Sequence, residues 1–144
     1  MDKTTAKVPK HLVIIPDGNR RWAKSKGLES VSGHEKATQT DNIIGLLDEA
    51  QELGIKHLSV WAFSTENWKR SKIEINFLFK LIIKMAGDLK EYVREKKIKF
   101  RHVGRKDRLP KEVIETLEKF EQETKNNNGL NFNLLLDYGG RADI

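Results

Sequence analysis

Two short apolar runs separated by an amphipathic stretch constrain this chain more than any other feature. His11-Leu12-Val13-Ile14-Ile15 is stopped by Pro16, as a buried strand is. Leu58 to Phe63 is too short for a helix and rich in aromatic and β-branched residues. Between them, Ile43, Ile44, Leu46, Leu47, Ala50 and Leu53 follow helical spacing from Thr40 to Leu53, with Gly54 as the C-terminal stop. Strand, helix, strand is a βαβ crossover, so the two strands are expected to lie parallel.

The remaining pattern extends that unit. Arg20 to Lys24 has helical propensity up to Gly27. Ile75 to Lys96 is the longest predicted helix, and its apolar residues cover more than one stripe. Such a helix is either sandwiched between neighbours or lines an apolar cavity. Ile98 to Val103 alternates like a half-exposed strand, Pro110 to Gln122 is amphipathic, and Leu130 to Leu136 is a further apolar strand after the turn Asn126-Asn127-Asn128-Gly129. Arg141-Ala142-Asp143-Ile144 follows Gly139-Gly140 like the opening turn of a helix. A parallel sheet buries both faces, so the last strand is expected to be poorly covered and the chain to be shortened at its C-terminus.

With 144 residues, one domain is expected. Lys and Arg exceed Asp and Glu by 27 − 21 = 6 charges, which favours anionic partners without choosing among phosphates, nucleic acid and acidic lipids. The absence of cysteine excludes a disulfide scaffold, a thiolate zinc site and a cysteine nucleophile. No apolar run approaches the ~20 residues of a membrane span. The first ten residues, MDKTTAKVPK, are polar, lack the apolar stretch of a signal peptide, and are expected to be flexible. A cytoplasmic α/β domain is the expected class.

Asp17-Gly18-Asn19-Arg20-Arg21-Trp22 follows the first strand, where open α/β sheets place their ligands. Gly18 lets the backbone approach an anion, and the two arginines can make charge-assisted contacts to phosphate oxygens. Asp17 fits such a site when a divalent cation lies between it and a diphosphate, which points to Mg²⁺. The alternative is an Asx turn leading into a solvated basic helix. A second cluster, Ser64-Thr65-Glu66-Asn67-Trp68-Lys69-Arg70, follows the second strand. Ser64, Asn67 and Arg70 can bind phosphate, whereas Ser64 or Thr65 can equally serve as a helix cap. Two polar clusters at the ends of adjacent parallel strands, both containing Trp and Arg, make a shared site the stronger reading. His34 is placed on the loop entering the next helix, and Asp137 to Arg141 offers a third strand end. His11, His57 and His102 receive structural roles. The basic stretch Arg94 to Arg101 reads as a solvated helix end, because it lacks the interleaved aromatics of a single-strand nucleic-acid binder. No nucleic-acid partner is therefore expected.

Together, HLVIIPDGNRRWAK, SGHEKA, VWAFSTENWKR and LDYGGRADI resemble the cis-prenyltransferases, the undecaprenyl diphosphate synthase family. The resemblance runs from His11 to the last residue and makes residues 11–144 the N-terminal part of such a domain. It implies a mostly parallel α/β fold with flanking helices. It also implies Mg²⁺-dependent condensation of isopentenyl diphosphate with an allylic prenyl diphosphate to give a Z-polyprenyl diphosphate. Asp17 matches the family's catalytic aspartate, which works with Mg²⁺ on the departing diphosphate. Gly18, Asn19, Arg20 and Arg21 resemble the allylic diphosphate cradle, Trp22 and the Ile75–Val93 helix the tunnel side, and His34 the histidine near that diphosphate. Ser64, Asn67 and Arg70 match the trio beside the isopentenyl site, where Asn67 helps route the departing proton; Thr65, Glu66 and Trp68 complete that motif.

The resemblance further implies a homodimer and transient membrane-surface contact for product release. Departures are Ser30 at a usual arginine, Ala37 at a usual glycine, Ser71 at a common proline, and Asp137 at a usual asparagine. The family's later isopentenyl-binding arginine motif has no counterpart here, so the chain alone is expected to be inactive. A silent diphosphate- or polyprenyl-binding partner is the alternative.

Overall fold

The computed structural model describes residues 6–144; the first five residues of the segment expected to be flexible lie outside the described residues. That segment is pinned at its end, where the Lys10 carbonyl accepts from the amides of Lys56 and His57.

The elements are β1 (His11–Ile14), α1 (Asn19–Ser25), α2 (Ser30–Ala37), α3 (Thr40–Glu52), β2 (His57–Ser64), a 3-10 turn (Thr65–Lys69), α4 (Lys72–Glu95), β3 (Lys99–Val103), α5 (Lys111–Thr124), β4 (Asn131–Tyr138) and the single turn α6 (Gly140–Asp143). The four strands form one parallel sheet in the order β1-β2-β4-β3. The expected crossover between the first two strands is present and carries three helices. Ser71, at the usual proline position, caps α4 by accepting from the Glu74 amide at 3.2 Å.

Register puts Leu12, Leu58, Phe132 and Phe100 in one row across the sheet, with Ile14, Val60, Leu134 and His102 in the next. This face is covered by helices: Leu47, Leu78, Phe79, Val113, Leu117 and Phe120 join it in a single core. At the β3 edge, α5 offers side-chain acceptors: Thr124 Oγ1 and Glu121 Oε1 receive the amides of Phe100 (3.0 Å) and His102 (2.8 Å). That edge is thereby occupied.

The opposite face corrects an expectation. It carries His11, Ser59 and Asn133, joined through the Ser59 hydroxyl, which lies 2.7 Å from His11 Nε2 and 3.1 Å from Asn133 Nδ2. Val13, on this face, is half exposed, as is Ile15 just beyond β1. Among the described residues this face is therefore open on its β1 side, whereas Ser59 of β2 is buried, so the parallel-sheet rule holds only in part. Exposure also falls on β1, not on β4, which was expected to be poorly covered. Because β4 inserts between β2 and β3, its Phe132, Leu134, Leu136 and Asp137 are all buried.

The two readings of the long helix are both realised. Leu89 and Val93 of α4 pack in the core, while Leu78, Ile82 and Met85 also line a cavity.

Candidate functional site

The C-terminal ends of β1 and β2 lie side by side and release the two polar clusters at the same end of the sheet. Gly18 adopts φ +96°, a left-handed conformation that other residues take reluctantly, and caps α1. Asp17 Oδ1 accepts from the Gly18 amide at 2.7 Å, and Oδ2 pairs with Arg21 Nη2 at 3.0 Å. Both side chains are about four-fifths exposed (82% and 79%), so a ligand can compete for them.

The structure makes a helix, α2, of residues 30–37, where the sequence places His34 on a loop. Val31 and Ala37 are the apolar side chains of a mainly polar segment that contains Gly33 and shows no apolar periodicity, so its helix is held by tertiary contact. A Cβ on Gly33 would lie 2.0 Å from the Asn19 carbonyl oxygen, so only glycine lets α2 meet α1 this closely. That approach buries His34. Its Nε2–H donates to Glu74 Oε1 at 3.1 Å, and Nδ1 faces the Asn19 side-chain amide at 3.5 Å. Desolvation lowers the His34 pKa, outweighing the hydrogen bond to Glu74, and the nearby Arg70 charge adds to the lowering. The ring is thus neutral near pH 7. Arg70 Nη1 reaches the same Glu74 oxygen at 3.4 Å. Glu74 was absent from the sequence expectations. Its spacing four residues after Arg70 on a capped helix is the signal that could have found it.

In the second cluster the capping reading holds: Asn67 Oδ1 accepts from the Ser64 amide at 3.0 Å in a capping box, which gives Ser64 and Asn67 a structural role. A Cβ on Gly139 would fall 2.6 Å from Thr65 Oγ1, so the 3-10 turn and the β4–α6 turn are in close contact.

Two cavities meet at these clusters. The larger, about 920 Å³, runs between the sheet, α3 and α4 over Ile14, Ile43, Leu46, Val60, Ile82 and Met85. Asp17, Asn19, His34, Ser64, Thr65, Glu66, Asn67 and Arg70 also line it. The smaller, about 820 Å³, is lined by Asp17, Gly18, Asn19, Arg20, Arg21, Lys24, Ser30, His34 and Arg70. The five residues common to both are Pro16, Asp17, Asn19, His34 and Arg70. Lys24 was not foreseen; it brings a cation to the cavity where Ser30 replaces a usual arginine. Trp22 and Trp68 line neither cavity: Trp22 is 38% exposed, and Trp68 is turned toward Phe63, Phe79 and Asp137.

Among the described residues no three His, Asp or Glu side chains converge as a metal cage. One exposed carboxylate beside an anion cradle still suits Mg²⁺, which is held by one or two carboxylates together with substrate phosphates. No helix among the described residues is long and apolar enough to cross a membrane.

A polar mouth over an apolar cavity is a site for an amphiphile with an anionic head. Residues 15–144 match the prenyltransferase family model for undecaprenyl diphosphate synthase. An isoprenyl transferase of Aquifex pyrophilus is 44% identical over 138 residues, 96% of this chain and 59% of that protein. One from Fusobacterium nucleatum is 42% identical over 95% of this chain and 59% of its own length. The chain thus spans about three-fifths of the curated relatives it matches. A lavandulyl diphosphate synthase from Lavandula x intermedia, solved in complex with dimethylallyl diphosphate, superposes with TM-score 0.88 at 39% identity, covering 94% of this chain and 58% of that one. A probable undecaprenyl diphosphate synthase from Campylobacter jejuni gives TM-score 0.75 at 32% identity, covering 92% and 56%. With the strand-end clusters, the apolar cavity and the match over residues 15–144 in agreement, this chain belongs to the undecaprenyl diphosphate synthase family of prenyltransferases.

Proposed function

We propose that this chain carries the allylic half of a cis-prenyltransferase site, which condenses an allylic prenyl diphosphate with isopentenyl diphosphate to give a Z-polyprenyl diphosphate. The supporting observation is the convergence of Asp17–Arg21, His34 and Ser64–Arg70 at the mouth of the apolar cavity. The hydrocarbon of the allylic substrate lies along the Ile43, Val60 and Ile82 walls. Its diphosphate meets the Gly18–Arg21 backbone, the Arg20, Arg21 and Lys24 side chains, and neutral His34. Asp17 is the residue that would hold Mg²⁺ together with the substrate, and the ion would supply positive charge against the departing diphosphate.

In the reaction the allylic C–O bond breaks, diphosphate leaves, and the isopentenyl double bond attacks the freed carbon. A proton then leaves the new chain, and Asn67 is the residue assigned to pass it on. Ser64, Asn67 and Arg70 supply one wall of the isopentenyl side. One arginine is a weak counterion for a diphosphate, so the chain by itself is expected to hold the allylic substrate and not to turn over. A homodimer and transient contact with a membrane surface belong to the same reading.

Calorimetry on the 144-residue chain with Mg²⁺ tests the assignment. Dimethylallyl diphosphate is expected to bind and isopentenyl diphosphate to bind more weakly. The reverse order exchanges the roles of the two clusters. Sustained polyprenyl synthesis by the purified chain overturns the split between halves.

A further inference from the structure

Asp137 stands at the end of β4, fully buried at 0% exposure and with φ +52°. A buried carboxylate is costly unless it is paired and hydrogen-bonded. Here Arg108 provides a two-pronged contact, Nη2 to Oδ1 at 2.6 Å and Nε to Oδ2 at 3.1 Å. The Trp68 indole Nε1–H donates to Oδ1 at 3.0 Å. The Arg108 guanidinium also lies over the Trp68 ring, 5.2 Å from its centroid. The Asp137 carbonyl accepts from the Arg105 amide at 3.0 Å, which ties the loop after β3 to the same point. One carboxylate thus joins three segments: the β3–α5 loop, the end of β4, and the 3-10 turn. None of Arg108, Asp137 and Trp68 lines either cavity.

The turn needs such an anchor. Five residues of 3-10 geometry make poor internal hydrogen bonds. Besides the Ser64–Asn67 cap, the turn is closed by the Arg70 amide donating to the Asn67 carbonyl at 3.0 Å. Trp68 sits between Asn67 and Arg70, packed edge-on to Phe63 at 5.2 Å and tilted against Phe79 at 5.7 Å. Aromatic packing alone leaves rotation about the ring free, whereas the indole hydrogen bond sets its direction.

We propose that Asp137, Arg108 and Trp68 are positioning residues that lock the 3-10 turn and thereby hold Ser64, Asn67 and Arg70 in the geometry that receives a diphosphate. What the turn receives rests on the proposed function; the lock itself does not.

Asp137→Asn is the main probe. It keeps the volume, accepts a left-handed φ as readily, and retains an oxygen for the indole, but loses the charge that engages Arg108. Trp68→Phe keeps a ring for packing and removes the donor, which covers a folding failure of the first variant. Hydrogen exchange over residues 64–70 is expected to speed up about tenfold in either variant, as one charge-assisted bond is lost. Exchange in the β2–β4 ladder is expected to stay unchanged. Affinity for inorganic diphosphate and for dimethylallyl diphosphate is expected to fall by a similar factor, about tenfold. In Asp137→Asn the Trp68 indole nitrogen signal shifts, while those of Trp22 and Trp61 do not. Unchanged turn exchange, acceleration spread evenly through the sheet, or faster turn exchange with unaltered affinity would each overturn the proposal. A wild-type chain that binds neither diphosphate overturns the proposed function, and the exchange data then judge the lock separately.

Discussion

The two polar clusters leave adjacent strands at the same end of the sheet, yet they are held in opposite ways. Asp17 and Arg21 hold each other through one exposed ion pair four residues apart, a contact worth little in water. The 3-10 turn is capped at its start, wedged against Gly139, and anchored through Trp68 to a buried carboxylate. The first cluster can exchange its internal ion pair for a ligand's charge at small cost. The second is organised before any ligand arrives.

Asp17→Ala is the sharpest way to break the contrast. The Mg²⁺-dependent gain in dimethylallyl diphosphate affinity is expected to disappear, a loss of about 10²-fold if two charge-assisted contacts go with it. The thermal midpoint stays near wild type, because the carboxylate is exposed. Calorimetry with and without Mg²⁺, beside a melting curve, checks both halves. An affinity that keeps its Mg²⁺ dependence removes Asp17 from the metal site.

Gly33→Ala tests what joins the clusters. The added Cβ meets the Asn19 backbone, which cannot swing aside like a side-chain end. Destabilisation of about 1–3 kcal/mol is expected by denaturant unfolding. His34 should also lose its contact with Glu74, seen as a change in its imidazole titration. Unaltered stability would mean that α1 and α2 are not packed as described.

The smallest effect is the pH dependence set by His34. Its folded pKa lies below the ordinary 6.5, so the unfolded chain binds the proton first as pH falls. The unfolded state then holds more protons, and stability declines as pH drops below about 6.5 toward the folded value. Glutamine at position 34 should flatten that decline. An unchanged slope in His34→Gln assigns the pH dependence to other groups.

How much was legible follows from where the information lies along the chain. The strands at 11–15, 58–63 and 130–136, and helices α3, α4 and α5, are written in local periodicity, because each buries one face or stripe against a shared core. The first cluster is local as well: Asp17 to Arg21 are consecutive, and the structure lines one cavity with them. The cap formed by Ser64 and Asn67 was legible, since the two residues stand at capping-box spacing.

What local pattern could not give is where several segments meet. Helix α2 has no apolar stripe, and its position follows from the missing side chain of Gly33 against the Asn19 backbone. Lys24 enters the cradle only through the turn of α1, and Glu74 joins His34 only after α4 is laid beside α2. The uncovered face on the β1 side depends on strand order, which periodicity does not encode, because β4 passes between β2 and β3 and takes the sheltered place. Asp137, Arg108 and Trp68 are separated by 29 and 69 residues along the chain. The sequence by itself determined the main elements and which polar residues leave the strand ends. Tertiary structure alone decided that a carboxylate with no solvent contact would tie these segments together, because its desolvation makes partners at that distance obligatory.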